Sequence, residues 1–357
     1  MRFKSIFSKA FHHTSLVIFL AGFLFDILVL PDFKDIHARY IGLAHLLVVA
    51  FFIYVREWVV SKNTASSTEQ KLFGLTTFLI SFSAGAALSF IFVYAVRAAE
   101  LSVSWPLFLI LIIIILANEF VSTHNFRFAL DLCVLFTATL FYIIFNAPII
   151  LKEQSDSTFV ISLIVSITVS LLYVHILRKA SHTANYESPR GYALAIGIPM
   201  FVGMLYFLNV LPAVPLSLKE AGVYHNIIRT SANNFVGMKE EDNRMFAKYR
   251  TSVEHILPTD SGVYFFSRID TPADINAPIS HIWEYYDNKN NIWIQSTIVS
   301  FDIQGGRNDG YRAYSKKENI TEGLWRVTIK VGDNRIVGRE KFEVIKDGEV
   351  RVNEVKL

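Results

Sequence analysis

The sequence has a single cysteine, Cys133, in 357 residues. One cysteine cannot form a disulfide within the chain, so an exported domain would have to be stabilised by packing alone. Charge is sparse in the first part. Residues 1–213 hold 14 Lys and Arg and 11 Asp and Glu, whereas the shorter stretch 214–357 holds 20 of each. This contrast indicates two solvents, lipid for the first part and water for the second.

The sequence also lacks the local motifs that mark common enzymes. It contains no Gly-x-Ser-x-Gly, no His-Glu-x-x-His, no P-loop and no dinucleotide fingerprint. We therefore predict that the protein is not an enzyme, with no catalytic, cofactor-binding or metal-binding residues and no cofactor. The net charge of +3 does not favour a nucleic-acid partner.

Long apolar runs dominate residues 1–213, which we predict to be a transmembrane helical domain. Each run approaches the roughly 20 residues that a helix needs to cross a bilayer. About seven spans are expected: Thr14–Leu30, Tyr40–Val60, Leu72–Val96, Leu101–Ala117, Ala129–Leu151, Thr158–Leu177 and Tyr192–Leu211. Gly85 and Ala86 in the third run favour close approach to a neighbouring helix.

The loop charges predict the orientation of these spans. The N-terminus and the loops on its side carry ten Lys and Arg, including Arg56, against four on the other side. Positively charged loops stay in the cytoplasm. We expect a bacterial inner (cytoplasmic) membrane protein with a cytoplasmic N-terminus and a periplasmic C-terminal domain.

Four ionisable residues near or within the spans are candidate intramembrane sites: Asp26, His45, Glu119 and Asp131. Asp26 and His45 lie at similar depth from the outer side, which permits a hydrogen-bonded pair, and Glu119 and Asp131 lie near the inner side. Charged groups in lipid need a partner or a water-filled cavity. A proton or substrate relay and simple helix-to-helix contacts both account for them, and the second is the more common use of such residues.

Residues 262–357 alternate short apolar stretches with turns. The clearest pattern places Trp325, Val327, Ile329 and Val331 on one face and Arg326, Thr328 and Lys330 on the other. This spacing predicts an all-β, immunoglobulin-like antiparallel sandwich outside the membrane. Residues 214–261 are expected to be a connector that holds one helix or a strand beside the domain.

Two candidate binding sites lie in this domain. His281 and Trp283 share a face of one strand and would form an aromatic platform for a sugar or peptide, unless they are core residues. Arg307 and Arg312 flank a glycine-rich loop and would hold a carboxylate or phosphate, unless they pair with neighbouring acids such as Asp302.

The C-terminal stretch resembles a bacterial family known by its domain of unknown function 2914. A His-x-Trp strand is followed by a Gly-Gly-Arg loop, a Tyr-Ser strand and a Gly-x-Trp-Arg-Val strand. Here the matching residues are His281, Trp283, Gly305, Gly306, Arg307, Tyr314, Ser315, Gly323, Trp325, Arg326 and Val327. The exit Pro212–Leu216 resembles that of the family's multi-span members. The resemblance implies an inner-membrane protein and brings no activity or ligand.

From these features we expect an integral membrane protein that presents a β domain for binding or assembly of an envelope partner, either a protein or a glycan. The alternative is a transporter or lipid-handling protein that uses the ionisable residues of the helical bundle. The sequence does not indicate the oligomeric state.

Overall fold

The computed structural model describes residues 12–29, 36–62, 67–98, 109, 113, 124–208, 210–211, 216–230, 234–240, 252–255, 262–270, 277–303, 310–332, 335–345 and 351–357. It divides into two compact units, a helical unit made of most of the residues up to Leu211 and a β unit made mainly of Pro212–Leu357.

Six long helices form the described part of the helical unit. They are α1 (His12–Val29), α2 (Ile36–Ser61), α3 (Ser67–Ala98), α4 (His124–Leu151), α5 (Asp156–Leu177) and α6 (His182–Phe207). Ser155 and Ser181 cap the starts of α5 and α6, because their hydroxyls accept the backbone N–H of Thr158 and Ala184. Helix α6 runs through both Pro189 and Pro199.

Helices α2 to α6 each contain a stretch long and apolar enough to cross a membrane. Helix α1 covers most of the predicted first span, Thr14–Leu30. The predicted fourth span, Leu101–Ala117, lies outside the described residues except for Leu109 and Ile113. The count of seven spans therefore stays a prediction.

Helices α1 and α3 cross with their backbones in direct contact. A Cβ atom built at Gly85 would overlap the backbone carbonyl of Phe19, and one built at Gly22 would overlap that of Phe82. The expected close approach at Gly85 is thus present, and Gly22 is its counterpart on α1. Ala86 beside it is fully buried.

This crossing predicts a sharp difference between two glycines of the same helix. Gly85→Leu should destabilise the helical unit by about 3 kcal/mol, since a side chain there drives the backbones apart. Gly74→Leu makes the same chemical change in α3, where an added Cβ meets nothing within 4 Å, and should be tolerated. Thermal aggregation in detergent checks the pair, and equal losses in both variants would contradict the crossing.

The described part of the β unit contains eleven strands. They are β1 (Ser217–Tyr224), β2 (Asn226–Arg229), β3 (Phe235–Glu240), β4 (Ser252–His255), β5 (Val263–Asp270), β6 (Ala277–Asp287), β7 (Ile292–Ile303), β8 (Tyr311–Lys317), β9 (Gly323–Val331), β10 (Arg335–Ile345) and β11 (Val352–Lys356). They form three sheets with strand orders β1-β5-β8, β4-β10-β9-β6-β7 and β11-β3-β2. All pairs are antiparallel except β4 with β10.

The alternation predicted for β9 is confirmed. Trp325, Val327, Ile329 and Val331 are all buried, and Phe342 and Val344 repeat the pattern in β10. One outward residue, Thr328, is buried as well, because it lies on the covered part of the opposite face beside Glu284. The five-stranded sheet therefore places its apolar face toward the core.

The stretch 214–261 differs from the expectation of a connector. Among its described residues there are four strands and no helix. β1 pairs with β5 along its length, and β2 and β3 pair with each other. Strand pairing to the later part of the chain overrides the local helical spacing, so this stretch belongs to the β unit.

Candidate functional site

The predicted aromatic platform at His281 and Trp283 is not on the surface. Both side chains are 0% exposed and lie on the inner face of β6. The His281 ring meets the rings of Phe265 and Phe301 edge-on at 4.9 and 5.0 Å between centroids. The prediction of a surface platform is wrong, because β5 and β8 cover the inner face of β6. His281 and Trp283 are core residues.

His281 is instead the centre of a buried hydrogen-bond network. Its Nε2 lies 2.7 Å from the Ser267 hydroxyl of β5, and its Nδ1 lies 2.9 Å from the Ser315 hydroxyl of β8. The Trp283 indole N–H donates to the same Ser315 oxygen at 3.0 Å. The network ties β6 to β5 and β8 of the three-stranded sheet, and every ring nitrogen involved has a hydrogen-bond partner.

Burial sets the protonation state of this histidine. Loss of solvent disfavours the charged imidazolium and lowers the pKa of His281 to about 3. The ring is therefore neutral at physiological pH. A serine beside a histidine is also part of nucleophilic catalysis, but Ser267 and Ser315 are closed to solvent here. The geometry supports a structural role.

The second predicted site is only partly described. Arg307, with Gly305 and Gly306, lies outside the described residues. Gly310 at the end of that loop has a φ of +87°, a conformation that glycine favours. Arg312 in β8 donates from Nη1 to the Asn234 side chain at 3.5 Å. The structure thus shows Arg312 at β8 beside Asn234 and leaves its grouping with Arg307 as a prediction.

The opposite, outer face of the five-stranded sheet carries an ion pair that sequence reasoning missed. Arg326 donates from Nε and Nη2 to the two oxygens of Glu284 at 2.7 and 2.6 Å, and Thr328 donates to the same carboxylate at 2.7 Å. Burial alone would raise the pKa of Glu284, but these hydrogen bonds and the nearby positive charges lower it. The Arg326 guanidinium also lies over the Trp293 ring, 4.4 Å from its centroid.

A buried ion network lies in the helical unit. Arg56 of α2 donates from Nη1 to Asp131 of α4 at 2.5 Å, and its Nη2 lies 3.6 Å from the neighbouring Glu57. Arg127 of α4 lies 3.5 Å from Asp131. Arg56, Glu57 and Asp131 are each at most 5% exposed. Two positive and two negative groups therefore balance inside the unit.

Hydroxyl groups connect this network to two further helices. The Ser181 hydroxyl at the start of α6 donates to Glu57 at 3.3 Å, and Arg127 donates to the Ser81 hydroxyl of α3 at 3.0 Å. In the same unit, the Tyr173 hydroxyl of α5 donates to the Ala50 carbonyl of α2 at 2.7 Å. The ionic cluster thus links α2, α3, α4 and α6.

The structure brings one of the four predicted intramembrane residues into this network, namely Asp131. His45 is partly buried and lies near the Phe82 ring, 6.4 Å between centroids. Asp26 lies in α1 but its side chain is outside the described part of the chain, as is the whole of Glu119. The proposed pairing of Asp26 with His45 stays a prediction.

Sequence reasoning missed Arg56 and Glu57 as site residues. Arg56 was counted among the cytoplasmic loop charges, whereas it is 2% exposed and five residues inside the end of α2. The available signal was the pair Arg56-Glu57 followed by Trp-Val-Val, which continues the apolar run. Charges flanked by apolar residues on both sides favour burial with a partner.

No group of three or more His, Cys, Asp or Glu side chains with the spacing for a metal ion occurs among the described residues. Cys133 is partly buried and unpaired.

A comparison with known families matches one part of the β unit. No curated protein is significantly similar to this chain. Among solved structures, the Pseudomonas fluorescens alkylpurine DNA glycosylase AlkC, bound to DNA containing an abasic site analog, aligns with 88% of this chain and 100% of that chain at 10% identity. The TM-score of 0.23 is too low to support any argument. Residues 276–344, from the start of β6 into β10, match the family described as Protein of unknown function (DUF2914), and this chain carries that domain.

Proposed function

We propose that this chain is an integral protein of the bacterial inner membrane that presents its β unit in the periplasm to bind an envelope partner, a protein or a glycan. The observation that carries the membrane part is the outward exposure of apolar side chains. The apolar stretches of α2 and α5 are only 28% buried within the chain. Such surfaces are stable in contact with lipid and unstable in water.

The exposed side chains of α5 make this point directly. They include Ile161, Ile164, Val169, Leu172 and Ile176, which are between 44% and 59% exposed. The opposite side of α5 is buried and carries small hydroxyl residues, Ser162, Ser166 and Ser170. A helix with small residues inside and large apolar residues outside is typical of membrane bundles.

The proposal includes seven spans, a cytoplasmic N-terminus and an immunoglobulin-like sandwich. Contact of Phe265 in the three-stranded sheet with His281 and Trp283 in the five-stranded sheet supports a sandwich. The excess of Lys and Arg on the N-terminal side supports the orientation. A binding role fits a domain whose buried serine–histidine network is closed to solvent.

One experiment tests location and role together. The β unit, Pro212–Leu357, is placed on each of two unrelated single-span anchors, one that exports it and one that retains it in the cytoplasm. Growth or envelope defects of a deletion strain should be restored by the exported form and not by the retained form. Restoration by the retained form would contradict the periplasmic location.

The second candidate function is transport or lipid handling by the helical unit. The buried network of Arg56, Glu57, Arg127 and Asp131 favours it, since ionisable groups within membrane helices often serve ion or substrate passage. If both re-anchored forms fail while the full chain restores the phenotype, the helical unit is required for function and this second candidate replaces the first.

A further inference from the structure

The edges of the three sheets differ in how well they are protected against pairing with another strand. Exposed edge strands carry unpaired backbone groups, and proteins usually keep them short or place charges on them. Six strands are edges among the described sheets: β1, β8, β4, β7, β11 and β2. Five of them follow this rule, with charges at Lys219, Glu220, Arg312, Lys316, Lys317, Glu254, Glu354, Lys356 and Arg229.

Strand β7 departs from the rule on both counts. It is 12 residues long and pairs only with β6 in the described part of the domain. It has no charged residue from Ile292 to Phe301. Its exposed side chains include Ile292 at 51% and Ile298 at 50%. A long, uncharged and partly apolar edge is a template for strand addition.

A bulge divides β7 into two arms. Thr297 lies opposite Trp283 and Gln295 lies opposite Glu284, so Ser296 is an extra residue in the ladder. The pairing with β6 places Trp293, Gln295, Ile298 and Ser300 on the outer face of the sheet. The residues between them in each arm face inward. The bulge thus changes the alternation at the middle of the strand.

The two arms of β7 match each other in antiparallel register. Residues directly opposite in such a pair point to the same face. When Gln295 lies opposite Ile298 of a second copy, Trp293 lies opposite Ser300 and Ile294 opposite Val299. Outer residues then meet outer residues and inner meet inner along Ile292–Phe301, because the bulge lies at the two-fold axis. No charged residues of β7 lie opposite each other along Ile292–Phe301. The Lys317 ammonium of β8 lies 2.8 Å from the Thr297 hydroxyl, on the inner side of the strand.

We propose that β7 is a self-association edge, at which two copies of this chain pair β7 to β7 in antiparallel register to form one continuous ten-stranded sheet. The occupant is a second copy because the segment Ile292–Phe301 has no charged residue and meets its own copy with matching length and matching faces. The proposal concerns the β unit and does not depend on which side of the membrane that unit occupies.

Disulfide trapping in the full chain tests the register. In a Cys133→Ser background, Gln295→Cys and Ile298→Cys chains are co-expressed and membranes are treated with a mild oxidant. Directly opposite residues lie about 5 Å apart at Cβ, which suits a disulfide. Because the bulge adds no ladder position, two copies of Gln295 are two positions apart along the strands. This diagonal separation is about 7–8 Å, longer than the Cα–Cα distance that a disulfide usually spans.

The mixture should give at least about tenfold more covalent dimer than either variant alone, since only the mixed pair has disulfide geometry. Glu354→Cys on the charged edge β11 is the matched control and should give no dimer. Absence of a dimer from the mixture, or an equal amount from Glu354→Cys, would overturn the proposal. A covalent product between Gln295→Cys and a different protein would also overturn it and assign the edge to that protein.

A second measurement covers the case in which a cysteine disturbs the edge. Light scattering of the purified chain in detergent should give twice the 40.6 kDa of one chain. Ile298→Lys, at a half-exposed position, should reduce this to one chain by placing a charge in the pairing edge. Val355→Lys adds the same charge to β11 and should leave the dimer intact. A dimer that survives Ile298→Lys would place the interface elsewhere.

Discussion

Replacing Asp131 with alanine is expected to destabilise the helical unit by about 3–5 kcal/mol, enough to remove most folded protein from the membrane. Asp131 accepts a hydrogen bond from Arg56 at 2.5 Å and lies 3.5 Å from Arg127. Without this carboxylate, the buried Arg56 and the partly buried Arg127 lose the acidic group that both of them contact. The midpoint of thermal aggregation in detergent, with the yield in membranes, measures the loss.

A compensating double variant separates the missing charge partner from lost packing. Arg56→Met with Asp131→Leu removes both members of the pair and fills the space with apolar side chains, so it should recover most of the stability lost in Asp131→Ala. Arg178→Ala removes an exposed arginine that donates only to Asn185 among the described side chains, and should have little effect. A double variant as unstable as Asp131→Ala would show that the pair itself is required.

Acidification is expected to destabilise the β unit through His281. The pKa of this residue is lowered to about 3 in the folded domain and is about 6.5 in an unfolded chain. Between these values the unfolded chain binds a proton that the folded chain does not. Stability is therefore complete above pH 6.5 and falls as the pH decreases, by about 2 kcal/mol at pH 5.

The variant His281→Gln keeps polar atoms near Ser267 and Ser315 but cannot titrate. It should lower stability at pH 7, since a shaped buried network is disturbed, and its stability should change less between pH 6.5 and pH 5. Urea unfolding, followed by tryptophan fluorescence at several pH values, measures the free energy of unfolding of the unchanged protein and of the His281→Gln variant. Taking the difference between them cancels the other titrating groups, and equal pH slopes would contradict the role of His281.

The helical half was largely predictable from local sequence. A run of some 20 apolar residues by itself predicts a helix in lipid, because every backbone N–H and C=O group must find its hydrogen-bond partner within the segment. Helices α2 to α6 follow from such runs. The close crossing at Gly85 was expected from small residues alone, but its partner Gly22 on α1 became evident only in the packed helices.

The β half was predictable where alternation is strong and not where pairing is remote. The four inward residues of β9 were identified by period-two spacing, since a strand with one buried face must alternate. For residues 214–261 the sequence left one helix or one strand open, because local spacing there resembles a helix, and the four strands β1 to β4 were not predicted individually. They are strands because other parts of the chain supply their partners, as Gly222 opposite Phe266 illustrates.

The candidate sites show the same division. His281 and Trp283 were singled out for their residue types, but only the tertiary structure placed them in the core. Arg56 and Asp131 are 75 residues apart, and nothing in either local segment indicates that they meet. The exposure of the β7 edge likewise depends on which strand occupies the end of the sheet.

By itself the sequence determined that the chain has an apolar helical half and a β half, which strands alternate, and which family the second half resembles. These properties depend on neighbours within a few residues. The tertiary structure decided that His281 is a buried neutral base, that Arg56 belongs to an ion network and that β7 is an edge strand among the described strands of its sheet. Burial and pairing depend on residues that are distant in sequence, and so only the folded chain specifies them.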